Sequence, residues 1–190
     1  VPLKLNAINS HMQHPQLGHA MDEETIRKDF ELFKRFNINC VRTSHYPPVK
    51  KYLELADEYG IHVIDEVGDE AHATEYLSEK PEWEGMYRER ARKMVLHDRN
   101  HASILFWSAG NESGEGKNIC HVIDEGKKWD PTRSWMYGGN AFAHPCEDII
   151  GPRYPTPLVY QLEVGMVSEN NDPRRSFMDE YVAITGKGGG

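Results

Sequence analysis

Strand-length apolar runs alternate with amphipathic helix-length runs, and this alternation most constrains what these 190 residues can fold into. KLNAIN (4–9) reads as a first strand. Asp22 can cap a helix carrying Ile26, Phe30, Phe33 and Phe36 on one stripe. NCVRTS (39–44) is a second strand. The helix after it turns Val49, Tyr52, Leu53, Ala56 and Tyr59 inward and meets its stop signal at Gly60. IHVIDE (61–66) is a third strand, and residues 84–98 form a helix with Tyr87, Ala91, Met94 and Val95 on its apolar side. SILFWS (103–108) is a fourth strand, followed by a helix over 116–128 that breaks at Asp130-Pro131. SWMYGG, EDIIG and SFMDEY read as fifth, sixth and seventh strands, with a polar, Pro-containing connection over 152–175 between the last two. Such alternation implies a parallel α/β sheet with right-handed crossovers, either open and doubly wound or closed as a (β/α)8 barrel. The first strand is not followed by GxGxxG, and GxxxxGK[ST] does not occur, so the nucleotide-binding open sheet loses its best support.

Titratable residues gather after strand ends. His11 and His14 follow the first strand, Arg42 and His45 end the second, and Glu66, Glu70 and His72 follow the third. Asn111 and Glu112 follow the fourth, Tyr154 follows the sixth, and Asp179 and Glu180 end the seventh. In a barrel the C-terminal ends of the strands form the active face. Two glutamates from separate parts of one rim suit glycoside hydrolysis. One carboxyl group protonates the leaving oxygen, and the other attacks the anomeric carbon or activates water. Glu112 is assigned as acid/base and Glu180 as nucleophile, and Asn111 can bond a sugar hydroxyl without adding charge. Asn111-Glu112-Ser113 also matches a glycosylation sequon, a pattern common by chance.

A net charge of −8 and a pI near 5.7 argue against nucleic acid as a partner. No apolar run approaches the roughly 18 residues needed to span a bilayer. Cys40, Cys120 and Cys146 lack the spacing of a disulfide scaffold or a zinc finger and are expected to be buried free thiols. They do not fix the compartment, cytoplasmic or periplasmic. VPLKLNAI opens as if within a strand and the chain stops at Gly188-Gly189-Gly190, so it reads as a piece of a longer polypeptide.

RTSHYP (42–47), VIDE (63–66), DRNHASILFWSAGNESG (98–114) and MDEY (178–181) resemble the catalytic barrel of family 2 glycoside hydrolases. Within that family, NSHMQHP (9–15), DPTRSWMYGG (130–139) and DIIGPRYP (148–155) resemble β-galactosidases. The resemblance implies a (β/α)8 TIM barrel, with residues 1–190 as a single incomplete catalytic domain. About seven strands are implied here, with the eighth strand and the flanking β-sandwich domains of the parent expected outside these residues. It implies retention of anomeric configuration, with the carboxyl groups roughly 5–5.5 Å apart. Glu112 then matches the acid/base, Glu180 the nucleophile and Arg42 the arginine that holds the nucleophile. Tyr154 matches a tyrosine that assists proton handling. Asn111 matches the residue on the sugar 2-hydroxyl, and His45 and His11 match residues near the sugar. Glu70, His72 and Glu112 match the ligands of an active-site Mg2+.

Departures from the pattern bear on the substrate. Ala183 stands where β-galactosidases carry a histidine facing the sugar's primary alcohol, and Met12 and Gln13 replace a charged and a histidine position. These changes are expected at the sugar-reading rim, leaving the reaction type alone and opening the site to galactosides modified at C6. A β-glucuronidase-like specificity and a catalytically silent carbohydrate-binding barrel are the competing readings. A metal-dependent hydrolase of another type is a weaker one, suggested only by Glu70 and His72. The resemblance leaves room for a homo-oligomeric parent, and the piece alone is expected to show little or no activity.

Overall fold

The computed structural model describes residues 3–139 and 146–149. Five strands form one all-parallel sheet in the order of the sequence: β1 (Ala7–Ser10), β2 (Cys40–Thr43), β3 (His62–Glu66), β4 (Ile104–Asn111) and β5 (Trp135–Gly138). Four helices connect them: α1 (Glu23–Arg35), α2 (Lys50–Tyr59), α3 (Glu84–Asp98) and α4 (Lys117–Trp129). Sequential parallel neighbours, each reached through a helix, are the winding of a barrel rather than of a doubly wound sheet, whose strand order reverses at a switch point. Of the expected later strands, part of EDIIG is described, and there Ile149 bridges Met136 in the parallel sense. SFMDEY lies outside the described residues.

Local signals explain the elements. The Asp22 carboxylate accepts from Thr25 N at 2.8 Å and caps α1. Gly60 closes α2 in the left-handed region, φ 63°. Ile26, Phe30 and Phe33 are buried as their spacing predicts, but Phe36 is the C-cap of α1 and is 64% exposed. The apolar stripe ends with the helix, so its last member has no turn to hold it inward. Two 3-10 helical turns, Glu75–Glu79 and Pro81–Trp83, lead into α3.

Alternation along the strands sorts the sheet's two faces. Val41, Val63, Trp107, Ala109, Trp135 and Tyr137 join Ile26, Phe30, Tyr52, Val95 and Ile123 of the helices in one core. The intervening positions, Arg42, Ile64, Glu66, Phe106, Ser108 and Met136, pair across neighbouring strands on the other face. Trp107 and Trp135 stack at 6.1 Å on the helix side.

Two expectations change here. Cys120 of α4 and Cys146 after β5 form a disulfide, with Cα atoms 5.4 Å apart, so only Cys40 is a buried free thiol. The 26-residue separation carries no spacing signal. The chain around Cys146 returns to α4 because Asp148 N and Ile149 N both donate to Trp135 O, and Lys127 bonds Asp148 at 2.6 Å. Met12, expected at the sugar-reading rim, is 3% exposed and packs in the core.

Candidate active site

The C-terminal ends of β2, β3 and β4 converge on one cluster. Its floor is Glu66, the last residue of β3 and fully buried. Arg42 Nε donates to Glu66 Oε2 at 2.6 Å, Ser108 Oγ donates to the same oxygen at 2.5 Å, and His45 Nδ1 bonds Oε1 at 2.6 Å. Glu66 N donates to Thr43 Oγ1, which fixes the carboxylate's backbone as well. The peptide bond between Ser44 and His45 is cis.

Above that floor sits a second layer. Arg42 Nη2 also donates to Asn111 Oδ1 at 3.1 Å, and Asn111 Nδ2 donates to Glu70 Oε1 at 3.1 Å. His45 Nε2 lies 3.5 Å from Glu70 Oε1, and His72 Nε2 lies 3.5 Å from that oxygen and 2.8 Å from Glu112 Oε2. Arg42, His45, Glu70, His72, Asn111 and Glu112 are thus brought together as the sequence pattern implies. His11 joins at the edge, its ring 5.3 Å from that of His45 in an edge-to-face arrangement. Tyr154 and Glu180, with Asp179 and Ala183, lie outside the described residues.

The turn that carries Glu112 is built to hold it. β4 extends further than expected, so Asn111 is its last residue rather than part of the turn. Glu112 itself has φ 47°, a left-handed backbone uncommon for a residue with a side chain. Its N–H donates to Gly138 O, and Tyr137 O–H donates to Gly114 O while accepting from Ser113 N. Gly114, at φ 87°, leaves no space for a Cβ, which would come within 2.4 Å of Glu75 O. Gly110, at φ 132°, would bring a Cβ to 2.7 Å from Asp69 O. The glycines of GNESG therefore let β4 and its turn press against the loop after β3.

Burial raises the carboxyls beneath the rim. Asp69 is pushed up to about 7 by burial, with the Arg90 charge opposing. Asp65, on the helix side of β3, is held well above the usual carboxylate range by burial and then by the neighbouring Asp98. Glu70, His72 and Glu112 offer two carboxylates and an imidazole, a donor set that suits a hard divalent cation completed by waters. Among the described residues no such trio stands preformed as a metal cage, and His72 Nε2 instead meets the Glu112 carboxylate.

Neighbouring parallel strands with a carboxylate-bearing C-terminal rim define part of a (β/α) barrel whose working face is that rim. The chain belongs to family 2 of the glycosyl hydrolases: the pattern for the TIM barrel domain of that family matches residues 1–190. Among curated relatives, a β-galactosidase of Vibrio vulnificus (strain YJ016) is 43% identical over 156 residues, 80% of this chain and 15% of that protein. A β-galactosidase of Pectobacterium atrosepticum is 39% identical over 196 residues, 97% of this chain and 19% of that protein. The chain thus spans under a fifth of the length of these relatives. Among solved structures, a β-glucuronidase from Ruminococcus gnavus in complex with C6-substituted uronic isofagomine superposes with TM-score 0.70 at 28% identity, covering 78% of this chain and 28% of that one. The same enzyme in complex with D-glucuronic acid gives 0.69 at 30% identity, covering 78% and 27%.

What the sequence left unweighted is Glu66. It stood among the rim residues with no role, yet it is the buried acceptor on which Arg42, His45 and Ser108 converge. One available signal was its place at the end of VIDE, an ionisable residue closing an apolar strand.

Proposed function

We propose that this chain is the catalytic barrel segment of a retaining glycosidase that cleaves terminal β-galactosides by double displacement. The observation that carries the reading is the placement of Glu112. It follows Asn111, the last residue of β4, and meets His72 on the rim, in a chain 39–43% identical to β-galactosidases. In the first step Glu180 attacks the anomeric carbon while Glu112 gives its proton to the leaving oxygen. In the second, Glu112 takes a proton from water, which releases the sugar from Glu180. Asn111, oriented by Arg42 and Glu70, bonds the hydroxyl beside the anomeric carbon. His45 and His11 line the sugar, and Tyr154 assists proton handling at the nucleophile. Arg42 uses Nε and Nη2 on Glu66 and Asn111, and in this reading its third guanidinium nitrogen, Nη1, would serve the nucleophile carboxylate. Glu70, His72 and Glu112 would hold Mg2+, which would supply positive charge beside the acid/base.

The experiment is hydrolysis of aryl β-D-galactosides by the full-length polypeptide, wild type beside Glu180→Gln. Loss of at least ~10³-fold on that substitution is expected, because the covalent path is removed. An unaffected rate rejects Glu180 as nucleophile. A second specificity is supported by the likeness to β-glucuronidase structures, and Ala183, in place of the histidine of the β-galactosidase pattern, would favour a galactoside modified at C6. Parallel assays on an aryl β-D-glucuronide and a 6-modified galactoside separate these. Faster cleavage of the glucuronide overturns the galactoside assignment and keeps the mechanism.

A further inference from the structure

We infer that Glu66 is the positioning residue of the site, holding Arg42 and His45 in their working orientations through one buried carboxylate. The inference rests on the retaining-glycosidase reading above and deepens it. Glu66 has no exposed surface, so it does not touch a sugar, and its effect must pass through the side chains bound to it.

The two carboxylate oxygens divide the work. Oε2 takes Arg42 Nε and Nη2, at 2.6 and 2.5 Å, together with Ser108 Oγ. A guanidinium gripped through two of its nitrogens has a fixed plane, and that plane sets where Nη1 points and where Nη2 meets Asn111. Oε1 takes His45 Nδ1 at 2.6 Å. A carboxylate only accepts, so His45 donates from Nδ1, which fixes its ring orientation and presents Nε2 to the rim, 3.5 Å from Glu70. Two residues from the end of β2 are thereby locked by one residue at the end of β3. Ser108 of β4 supplies a third strand's contribution, so three neighbouring strands meet at this carboxylate. A glutamine at this position would keep the shape, but its amide would present hydrogens to donors already pointing at it.

The test is the covalent trapping of the full-length polypeptide by 2,4-dinitrophenyl 2-deoxy-2-fluoro-β-D-galactoside. A nucleophile carboxylate oxygen bonds C1, the C1–O bond breaks, and dinitrophenolate leaves with the electron pair. The good leaving group needs no proton from Glu112, so the rate reports the nucleophile and its positioning. Glu66→Gln is expected to slow trapping at least 30-fold while the final label still reaches one per chain. Glu66→Asp, which keeps the charge, should recover part of that loss. A merely structural role would lower the labelled fraction and leave the rate of the surviving fraction at the wild-type value, and that result overturns the inference. Should Glu66→Gln not fold, Glu66→Asp carries the test: slower trapping with full labelling supports the inference, and a wild-type rate overturns it. A wild type that takes no label from this fluorosugar or from the corresponding 2-deoxy-2-fluoro-β-D-glucuronide overturns the glycosidase reading and this inference together. A labelled wild type with an unslowed Glu66→Gln overturns this inference alone.

Discussion

The two ends of the same sheet treat buried charge in opposite ways. At the N-terminal end, Asp130 collects donors from Trp107 Nε1 at 3.1 Å, Arg133 Nη1 at 2.6 Å and Thr132 N at 3.0 Å. Burial alone would raise this carboxyl, but the bonds from Thr132, Arg133 and Trp107 hold it down at about 2. Nearby, Asp57 takes Ser103 N at 2.8 Å and His101 Nδ1 at 2.7 Å. One acceptor is served by several donors, and little is left over. At the C-terminal end the balance reverses. Glu70 Oε1 is shared among Asn111, His45 and His72, Glu112 adopts a left-handed backbone, and Asp69 sits beneath with its carboxyl raised. Crowded carboxylates and backbone strain persist only when the surroundings over-determine them. The comparison teaches where the fold spends its stability: the lower end closes the barrel's connections, and the upper end keeps charges poised.

The largest expected effect would break that division if it were too simple. Arg42→Met removes the guanidinium from Glu66 and leaves a fully buried carboxylate without its main partner. Losing one member of a buried ion pair costs about 3–5 kcal/mol. Thermal or urea unfolding of the full-length polypeptide should show that loss, and the rate on an aryl β-D-galactoside should fall by at least ~10²-fold. An activity loss without a stability loss would mean that Glu66 is compensated from another direction.

Asp130→Ala is the counterpart at the lower end. It strands Trp107 Nε1 and Arg133, and a cost of about 2–3 kcal/mol is expected, with activity per folded molecule unchanged. The sign of its pH dependence follows from the lowered carboxyl. The folded state holds the carboxylate more strongly than the unfolded chain, whose value lies near 3.8. The stabilisation is therefore present above that value and is lost as pH falls toward about 2. Wild type and variant should converge in stability across that window.

Asp69 should behave in the reverse sense. Its folded-state carboxyl, pushed up to about 7, binds a proton that the unfolded chain releases near 3.8. Its contribution is fully present below 3.8 and declines as pH rises through about 7. Asp69→Asn removes that decline, so the variant's melting temperature should fall less than that of wild type between pH 4 and 8. The full shift corresponds to about 4 kcal/mol of relative gain by pH 8. Parallel profiles for the two proteins would show that Asp69 is ionised in the fold throughout.

Much of this contrast was legible from residues, because it follows from periodicity. Asp22, Gly60 and the stripe Tyr87, Ala91, Met94, Val95 mark helices by local chemistry, and the structure places them as that chemistry requires. The grouping of Arg42, His45, Glu70, His72 and Glu112 was legible because parallel strands deliver their ends to one rim. What escaped depended on geometry between distant segments. The Cys120–Cys146 link, the inward turn of Met12 and the meeting of Arg42, His45 and Ser108 at Glu66 each need a register that no local pattern encodes. Phe36 failed for the opposite reason, since the helical stripe was extended one residue past the helix.

The smallest expected effect separates backbone strain at the lower end from strain at the upper. Gly60 closes α2 at φ 63° with nothing within 4 Å of where a Cβ would stand. Gly60→Ala therefore meets no clash and pays only the left-handed conformation of a residue with a side chain, about 1 kcal/mol. Unfolding should register that amount, and the trapping rate with the fluorosugar should stay at the wild-type value. Gly110 also has positive φ, but its Cβ would push against Asp69, directly beneath the turn that carries Glu112. Its replacement should disturb both stability and rate. If Gly60→Ala slowed trapping as well, strain at the foot of β3 would reach the rim through Val63, Asp65 and Glu66. The two ends of the sheet would then be mechanically coupled rather than separately built.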